Sequence, residues 1–366
     1  TIIIGKFQMF HHVRSPICLL LPDKIRLYPN YVSCYITAVF VYNRQIFFPE
    51  WIMSEPVEHH IFNGIEMGVG TWAWGDRLVW GFGNGYSEND VREAFLTSIR
   101  GGIRFFDTAE VYGQGKSERI LGELIEQTDE QVIIATKMMP FPWRVLKSSL
   151  RIALKSSLQR LKLNRIALYQ MHVHLPPLNP KTWMNRMLDL HEEGLIDAIG
   201  VSNYDLTQTI EANETLKKHG ARLASNQVEY HLLDRHIERD GLLDYCLAEG
   251  IKVIAYSPLA MGVLTGKYTA ANPLRGTRAA RYSKDYLAKL QPMFNAMARI
   301  GNEHEGKTTA QVALNWVVQK RALPIPGAKD GLQAEQNLGA VGWRLTADEM
   351  TMLDELSLQV QKSGIL

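Results

Sequence analysis

From Asn63 onward, short runs of β-branched and aromatic residues alternate with stretches whose apolar residues recur at helical spacing. No other feature limits the fold so strongly. A strand followed by a helix and another strand implies parallel strands joined by helical crossovers. The predicted strands are residues 66–70, 103–106, 132–136, 166–171, 196–201, 223–228, 251–256 and 323–326. The predicted helices are 90–100, 117–125, 145–161, 180–193, 206–219, 239–249, 285–304, 309–320, 331–341 and 346–358. In the first of these, Val91, Ala94, Phe95 and Ile99 fall on one face, as an amphipathic helix over a sheet requires. Strands alternating with helices over roughly 250 residues predict an α/β fold, the (β/α)8 TIM barrel, here with a C-terminal helix. A doubly wound sheet is the runner-up. It usually carries a glycine-rich phosphate turn after its first strand, and Gly68-Val69-Gly70-Thr71-Trp72 lacks the third glycine and the following helix.

Residues 1–52 follow a different pattern. They are crowded with Ile, Phe, Tyr, Pro and His, carry almost no acids and show no helical stripe. They open on Thr1 and lack both a clear cleavage site and the Ser/Arg character of a transit peptide. Met53-Ser54-Glu55 has the look of a natural start. The expected organisation is therefore 1–52 as an N-terminal extension of doubtful structure, from upstream sequence or a misplaced gene start, and 53–366 as the barrel. A targeting extension is the other reading.

The net charge of +2 gives no footprint for nucleic acid or an acidic membrane surface. Cys18, Cys34 and Cys246 are too widely spaced for a metal motif or a disulfide framework, which points to a reducing compartment, cytoplasm or plastid stroma. No run approaches the ~20 apolar residues of a spanning helix. The longest, 32–42, contains Ser33 and Thr37. A soluble protein with neither membrane nor nucleic-acid partners is expected.

A barrel brings its strand ends to one mouth, so the residues there can be read off. The second strand ends at Asp107 and is followed by Tyr112 in a glycine-containing loop; the third ends at Lys137 and the fourth at His172. Taken alone, Asp107 reads as a turn cap and Tyr112 as an ordinary half-buried aromatic. Together with Lys137 they form a plausible proton donor: a nearby ammonium stabilises the phenolate of a group whose pKa is roughly 10, and a carboxylate keeps the lysine charged. A histidine across the pocket can orient a carbonyl oxygen. His172 and His174 at i, i+2 could suggest a metal pair, but no third ligand lies at the usual spacing and no metal is expected.

Seven ordered segments carry a resemblance. Residues 106–113 (FDTAEVYG), 135–137 (ATK), 168–172 (LYQMH), 200–203 (GVSN), 226–230 (NQVEY), 255–259 (AYSPL) and 325–329 (IPGAK) resemble, in order and spacing, the aldo-keto reductases. The likeness runs from about Gly64 to the C-terminal helix. Trp72, Trp74 and the Gly327-Ala328-Lys329 segment look more like plant and microbial oxidoreductases, including pyridoxal reductases, than like mammalian aldose reductases.

The resemblance implies a reductase of small aldehydes and ketones that uses NADPH. Tyr112 would be the general acid, Asp107 and Lys137 its tuning partners, and His172 the carbonyl-orienting residue. Ser202, Asn203 and Gln227 would hold the nicotinamide carboxamide, and Tyr256 would stack on its ring. Gly70, Thr71 and Trp72 fall in the cofactor set at the first strand's end. Ser257, Leu259, Gly262 and Lys267 would line the pyrophosphate; Gly327, Lys329, Gln333, Gln336 and Asn337 would grip the adenosine end. Trp72, Trp74 and Trp143 are candidates for the substrate wall.

Two departures matter. Gln333 and Gln336 stand where many relatives have an arginine and an acid, leaving Lys329 and Arg278 to meet a 2′-phosphate. Val173-His174 replaces a common Trp-Pro at the pocket rim. Two other functions stay open from sequence: a cofactor-binding regulatory module with negligible turnover, and a lyase using Lys137 as a Schiff-base amine.

Overall fold

The computed structural model describes residues 58–274 and 281–362, together with four short strands nearer the N-terminus. Those four form two antiparallel ladders, Cys18–Leu21 with Lys24–Leu27 and Phe40–Tyr42 with Gln45–Phe47. The chain divides into two compact units, Thr1–Glu55 and Pro56–Leu366.

The second unit is the barrel. Its strands are β1 (Gly68–Gly70), β2 (Phe105–Asp107), β3 (Ile133–Met138), β4 (Ile166–Met171), β5 (Ile196–Ser202), β6 (Ser225–Glu229), β7 (Lys252–Tyr256) and β8 (Leu323–Pro324). Each pairs in parallel with its neighbour in chain order. The seam between first and last strands closes through a parallel bridge of Gly70 with Gly327 and through Gly70 N–H donating to the Pro326 carbonyl at 3.1 Å. Glycine is needed there because a Cβ on Gly70 would lie 2.9 Å from the Ile325 carbonyl oxygen. A closed ring excludes the doubly wound sheet.

Inside, Phe105, Ala135, Leu168, Ala198, Ala224, Ile254 and Leu323 form an apolar layer, and Ile61 and Phe62 of the turn His60–Phe62 pack against it. Alternation along each strand then puts the residues two positions later at the mouth. That spacing explains why Phe105 and Ala135 are floor while Asp107 and Lys137 are site.

The helices fall where the periodicity predicts, with differences that have local causes. The single helix expected over 285–304 is two, Lys284–Lys289 and Gln291–Glu303, because Pro292 lacks an N–H and fits only a first turn. The helix expected from residue 239 begins at Leu242, behind Gly241 at φ 82°. The helix Gly331–Leu338 stops short of residue 341, with Gly339 as its cap. The C-terminal helix is Ala347–Lys362. Among the described residues no helix is long and apolar enough to cross a membrane.

All eight barrel strands and the plugging turn lie after residue 57. A protein beginning at Met53 is expected to unfold in one cooperative transition and to keep its activity. Differential scanning calorimetry and turnover of that truncation check it, and insoluble or inactive product would show that the leader belongs to the fold.

Candidate active site

Lys137 sits at the end of β3, wholly buried, and its ammonium has three acceptors. Nζ donates to Asp107 Oδ1 at 2.5 Å, to the Thr108 carbonyl at 2.9 Å and to the Tyr112 hydroxyl at 3.1 Å. The other carboxylate oxygen, Oδ2, accepts from Gln227 Nε2 at 2.7 Å and from Gln170 Nε2 at 3.2 Å. Asp107 is thus held from β3, β4 and β6 at once.

Tyr112 reaches this group from a loop that turns sharply: Gly113, Gln114 and Gly115 all have positive φ. A Cβ on Gly113 would lie 2.8 Å from the Gly75 carbonyl oxygen, so only glycine lets the tyrosine loop nest against the loop after β1. Glu110 fixes the loop's other side by accepting from Met139 N–H at 2.7 Å and pairing with Arg144. The Tyr112 ring stacks on Trp72 at 5.9 Å and meets the His172 ring edge-on at 5.8 Å.

The charges settle in a definite order. Burial pushes the Lys137 ammonium down, but the Asp107 carboxylate and then Tyr112 outweigh it, and the net shift is upward. For Tyr112, burial pushes the hydroxyl up more strongly than the Lys137 ammonium pulls it down, with Asp107 adding to the rise. The lysine lowers it, as expected, but burial outweighs the lysine and the net shift is upward. Burial, helped by the Lys137 charge, pushes His172 down to about 3. At neutral pH the site therefore holds a protonated tyrosine, a charged lysine and an uncharged imidazole.

The remaining residues expected at the site divide into three groups. Ser202, Asn203, Gln227 and Tyr256 stand together at the ends of β5–β7. Asn203, at φ 55°, donates from Nδ2 to the His172 carbonyl at 3.1 Å and accepts from the Tyr256 hydroxyl at 3.0 Å; Ser202 Oγ donates to the Gln227 carbonyl at 2.9 Å. Ser257, Leu259, Gly262 and Lys267 follow β7 in a loop where Ser257, Ala260, Met261 and Gly262 have φ of 50°, 50°, 55° and 95°. Gly327, Lys329, Gln333, Gln336 and Asn337 run from the barrel seam into the helix Gly331–Leu338. There the Gln333 amide is engaged with Asp330 and the Lys329 N–H, Asn337 Nδ2 donates to the Gly327 carbonyl at 3.3 Å, and Gln336 is exposed. Arg278 lies outside the described residues; Arg281, just after it, pairs with Glu229 at 2.9 Å.

One expectation is corrected. Trp74 cannot wall a substrate pocket, because it is fully buried with its indole N–H on the Ala328 carbonyl at 2.8 Å and its ring against Phe106. The Thr71 side chain is equally buried, bonded to the Asp107 carbonyl at 3.0 Å and Ser117 Oγ at 2.7 Å, so it ties β1 to β2. Trp72 and Trp143 are exposed, the latter stacked on Phe141 at 4.7 Å. Gln170 was missed, although its place on β4, two residues after the inward-facing Leu168, already puts it on the inward face.

Residues 66–358 match the sequence profile of the aldo/keto reductase family. The chain is 36% identical over 312 residues to the chloroplastic pyridoxal reductase of Arabidopsis thaliana, covering 82% of this chain and 85% of that protein. It is 38% identical over 295 residues to an uncharacterised oxidoreductase of Mycobacterium tuberculosis, covering 79% and 88%. Among solved structures, an aldo-keto reductase from Klebsiella pneumoniae in complex with NADPH superposes with a TM-score of 0.63 at 29% identity, over 80% of this chain and 90% of that one. The chain belongs to the aldo/keto reductase family. It is an oxidoreductase acting on small carbonyl compounds.

A His172 pKa depressed to about 3 against an unfolded value near 6.5 has a definite sign. The unfolded state takes up the proton first, so this residue's contribution to stability is complete above pH ~6.5 and is lost as pH falls towards 3. The His172 imidazole is expected to show no NMR titration between pH 5 and 8, and a midpoint near 6.5 would contradict the arrangement.

Proposed function

We propose that the protein is an NADPH-dependent reductase of aldehydes and ketones, with Tyr112 as proton donor. The observation that carries this reading is the Tyr112 hydroxyl 3.1 Å from a buried ammonium that is itself fixed by Asp107 at 2.5 Å. A phenol that stays protonated at rest but has a cation against its oxygen is suited to give up its proton only when an acceptor arrives. The neutral His172 imidazole, edge-on to the Tyr112 ring, can offer an N–H to the carbonyl oxygen without adding a second positive charge. As the oxygen takes the proton from Tyr112, Lys137 stabilises the phenolate left behind, and Asp107 keeps Lys137 in place.

The chain's donor groups fit a nicotinamide dinucleotide. Ser202, Asn203 and Gln227 offer hydroxyl and amide groups suited to a carboxamide, with the Tyr256 ring beside them. Ser257 and the run Ala260-Met261-Gly262 have positive φ, a tightly turned backbone of the kind that can approach a phosphate closely. When bound, the reduced nicotinamide supplies the hydride. Two observations support NADPH in particular: the Klebsiella relative is known in complex with it, and Lys329 stands at the entry to the helix Gly331–Leu338. The plant relative makes aromatic aldehydes, pyridoxal among them, the first substrates to try, and the exposed Trp72 face favours flat rings. We place the protein in the cytoplasm or the plastid stroma, in keeping with the chloroplastic relative and with the free, buried Cys246.

Tyr112→Phe removes the proton donor and leaves the cofactor groups intact. Reduction is expected to fall by ~10² or more while NADPH still quenches tryptophan fluorescence. Near-normal turnover would overturn the mechanism and favour a different acid.

NADPH is expected to bind ten- to a hundredfold more tightly than NADH, the range of one charge-assisted contact to a phosphate. Lys329→Ala should lower NADPH affinity and leave NADH affinity nearly unaltered, and Gln333→Arg should widen the preference. Equal wild-type affinities for the two cofactors, measured by fluorescence titration, would refute the assignment.

A further inference from the structure

Residues 72–86 form a self-contained aromatic loop between β1 and the helix Glu88–Arg100. Asp76 Oδ1 accepts from Val79 N–H at 2.7 Å and Trp80 N–H at 3.1 Å, Phe82 N–H donates to the Asp76 carbonyl at 2.8 Å, and the Tyr86 hydroxyl returns to the Ala73 carbonyl at 2.6 Å. The loop is braced by a cation that follows the neighbouring strand β8, just across the barrel seam. Lys329 Nζ donates to the Trp80 carbonyl at 3.1 Å and lies 5.0 Å from the Trp80 ring centroid and 4.5 Å from that of Tyr86. Trp80 in turn meets Trp72 edge-on at 5.6 Å, and Trp72 stacks on Tyr112 at 5.9 Å.

These contacts are continuous from the start of the helix Gly331–Leu338 to the proton donor. We propose that Lys329 is a specificity-determining residue for the carbonyl substrate, because it holds the Trp80–Trp72 wall upright against Tyr112. The physical reason is that Trp80 is fixed at both backbone groups, its N–H by Asp76 and its carbonyl by Lys329, while its ring face is attracted to the same ammonium. Without that cation the Trp80 carbonyl loses its donor and the two indoles lose their backing. Trp72, which is exposed, then has more than one place to lie. A flat aromatic aldehyde that must stack on Trp72 beside Tyr112 suffers from that freedom, whereas a short aliphatic aldehyde depends on it little. The same lysine thereby links cofactor choice to the shape of the carbonyl pocket.

The substrate part of this inference rests on the reading of Trp72 as a pocket wall, so the test has one arm that needs no turnover. Lys329→Met keeps the length of the side chain and removes its charge and donors; Lys329→Arg keeps a cation that can lie over both rings. With the cofactor saturating for each variant, the KM for benzaldehyde divided by the KM for propanal is expected to rise about fivefold in Lys329→Met and to return towards the wild-type ratio in Lys329→Arg. In the protein without cofactor, acrylamide quenching of tryptophan fluorescence should increase in Lys329→Met and recover in Lys329→Arg. An unaltered KM ratio together with unaltered quenching, with only NADPH affinity reduced, would overturn the proposal and confine Lys329 to the cofactor. Increased quenching in a protein whose wild type reduces no carbonyl would support the brace and refute the proposed function instead.

Discussion

The whole mouth depends on one buried ion pair, Lys137 with Asp107, whose side chains are 0% and 2% exposed. Taking two charges out of water is unfavourable unless every lone pair and proton finds a partner. Here they do. The three ammonium protons meet Asp107, the Thr108 carbonyl and the Tyr112 hydroxyl, and the carboxylate's second oxygen takes two amide N–H groups. Removing one member of such a pair leaves the other charge stranded, which typically costs about 3–5 kcal/mol. The pair is tolerable only where four strands can deliver groups to one point, and a closed parallel barrel does that: Asp107 comes from β2, Lys137 from β3, Gln170 from β4 and Gln227 from β6. Fold and site are conditions of each other.

Gln227 illustrates how closely structure and chemistry share their parts. It stands among residues suited to a carboxamide, yet its amide nitrogen is 2.7 Å from Asp107. Gln170 lies behind it, wholly buried, on the same carboxylate oxygen at 3.2 Å. With two donors on one oxygen, Asp107 keeps a partner even if Gln227 turns towards another group. The carboxylate's orientation, and through it the lysine's, is then insulated from what happens at the mouth.

Much of this was legible in the sequence. Parallel strands buried on both faces leave continuous apolar runs, so 103–106, 132–136 and 166–171 could be located, and the residues that follow them gave Asp107, Lys137 and His172 directly. The loops were less legible, because no period governs a loop. Trp72 and Trp74 look equivalent two residues apart, yet a turn in which Trp74 N–H donates to the Thr71 carbonyl at 2.8 Å sends one ring outward and the other into the core. Thr71 reads as a polar residue at a strand end, and only the fold shows Ser117 waiting for it. Gln170 could have been found, since an uncharged polar residue on the inward face of a buried strand needs a partner inside the barrel. The sign of the Tyr112 shift could not, because it depends on how deeply the ring is buried.

That sign bears on how a tyrosine can serve as an acid at all. A lysine that simply lowered the phenol's pKa would risk leaving it ionised at rest, with no proton to give. In this site burial raises Tyr112 and keeps the proton on, while the ammonium's advantage is realised only once negative charge forms on the oxygen. Lys137 remains charged because Asp107 raises it, and His172 remains neutral because burial and that same charge lower it. Burial and the buried ion pair together therefore set three protonation states, and each is the state that the proposed proton transfer to a carbonyl oxygen would require.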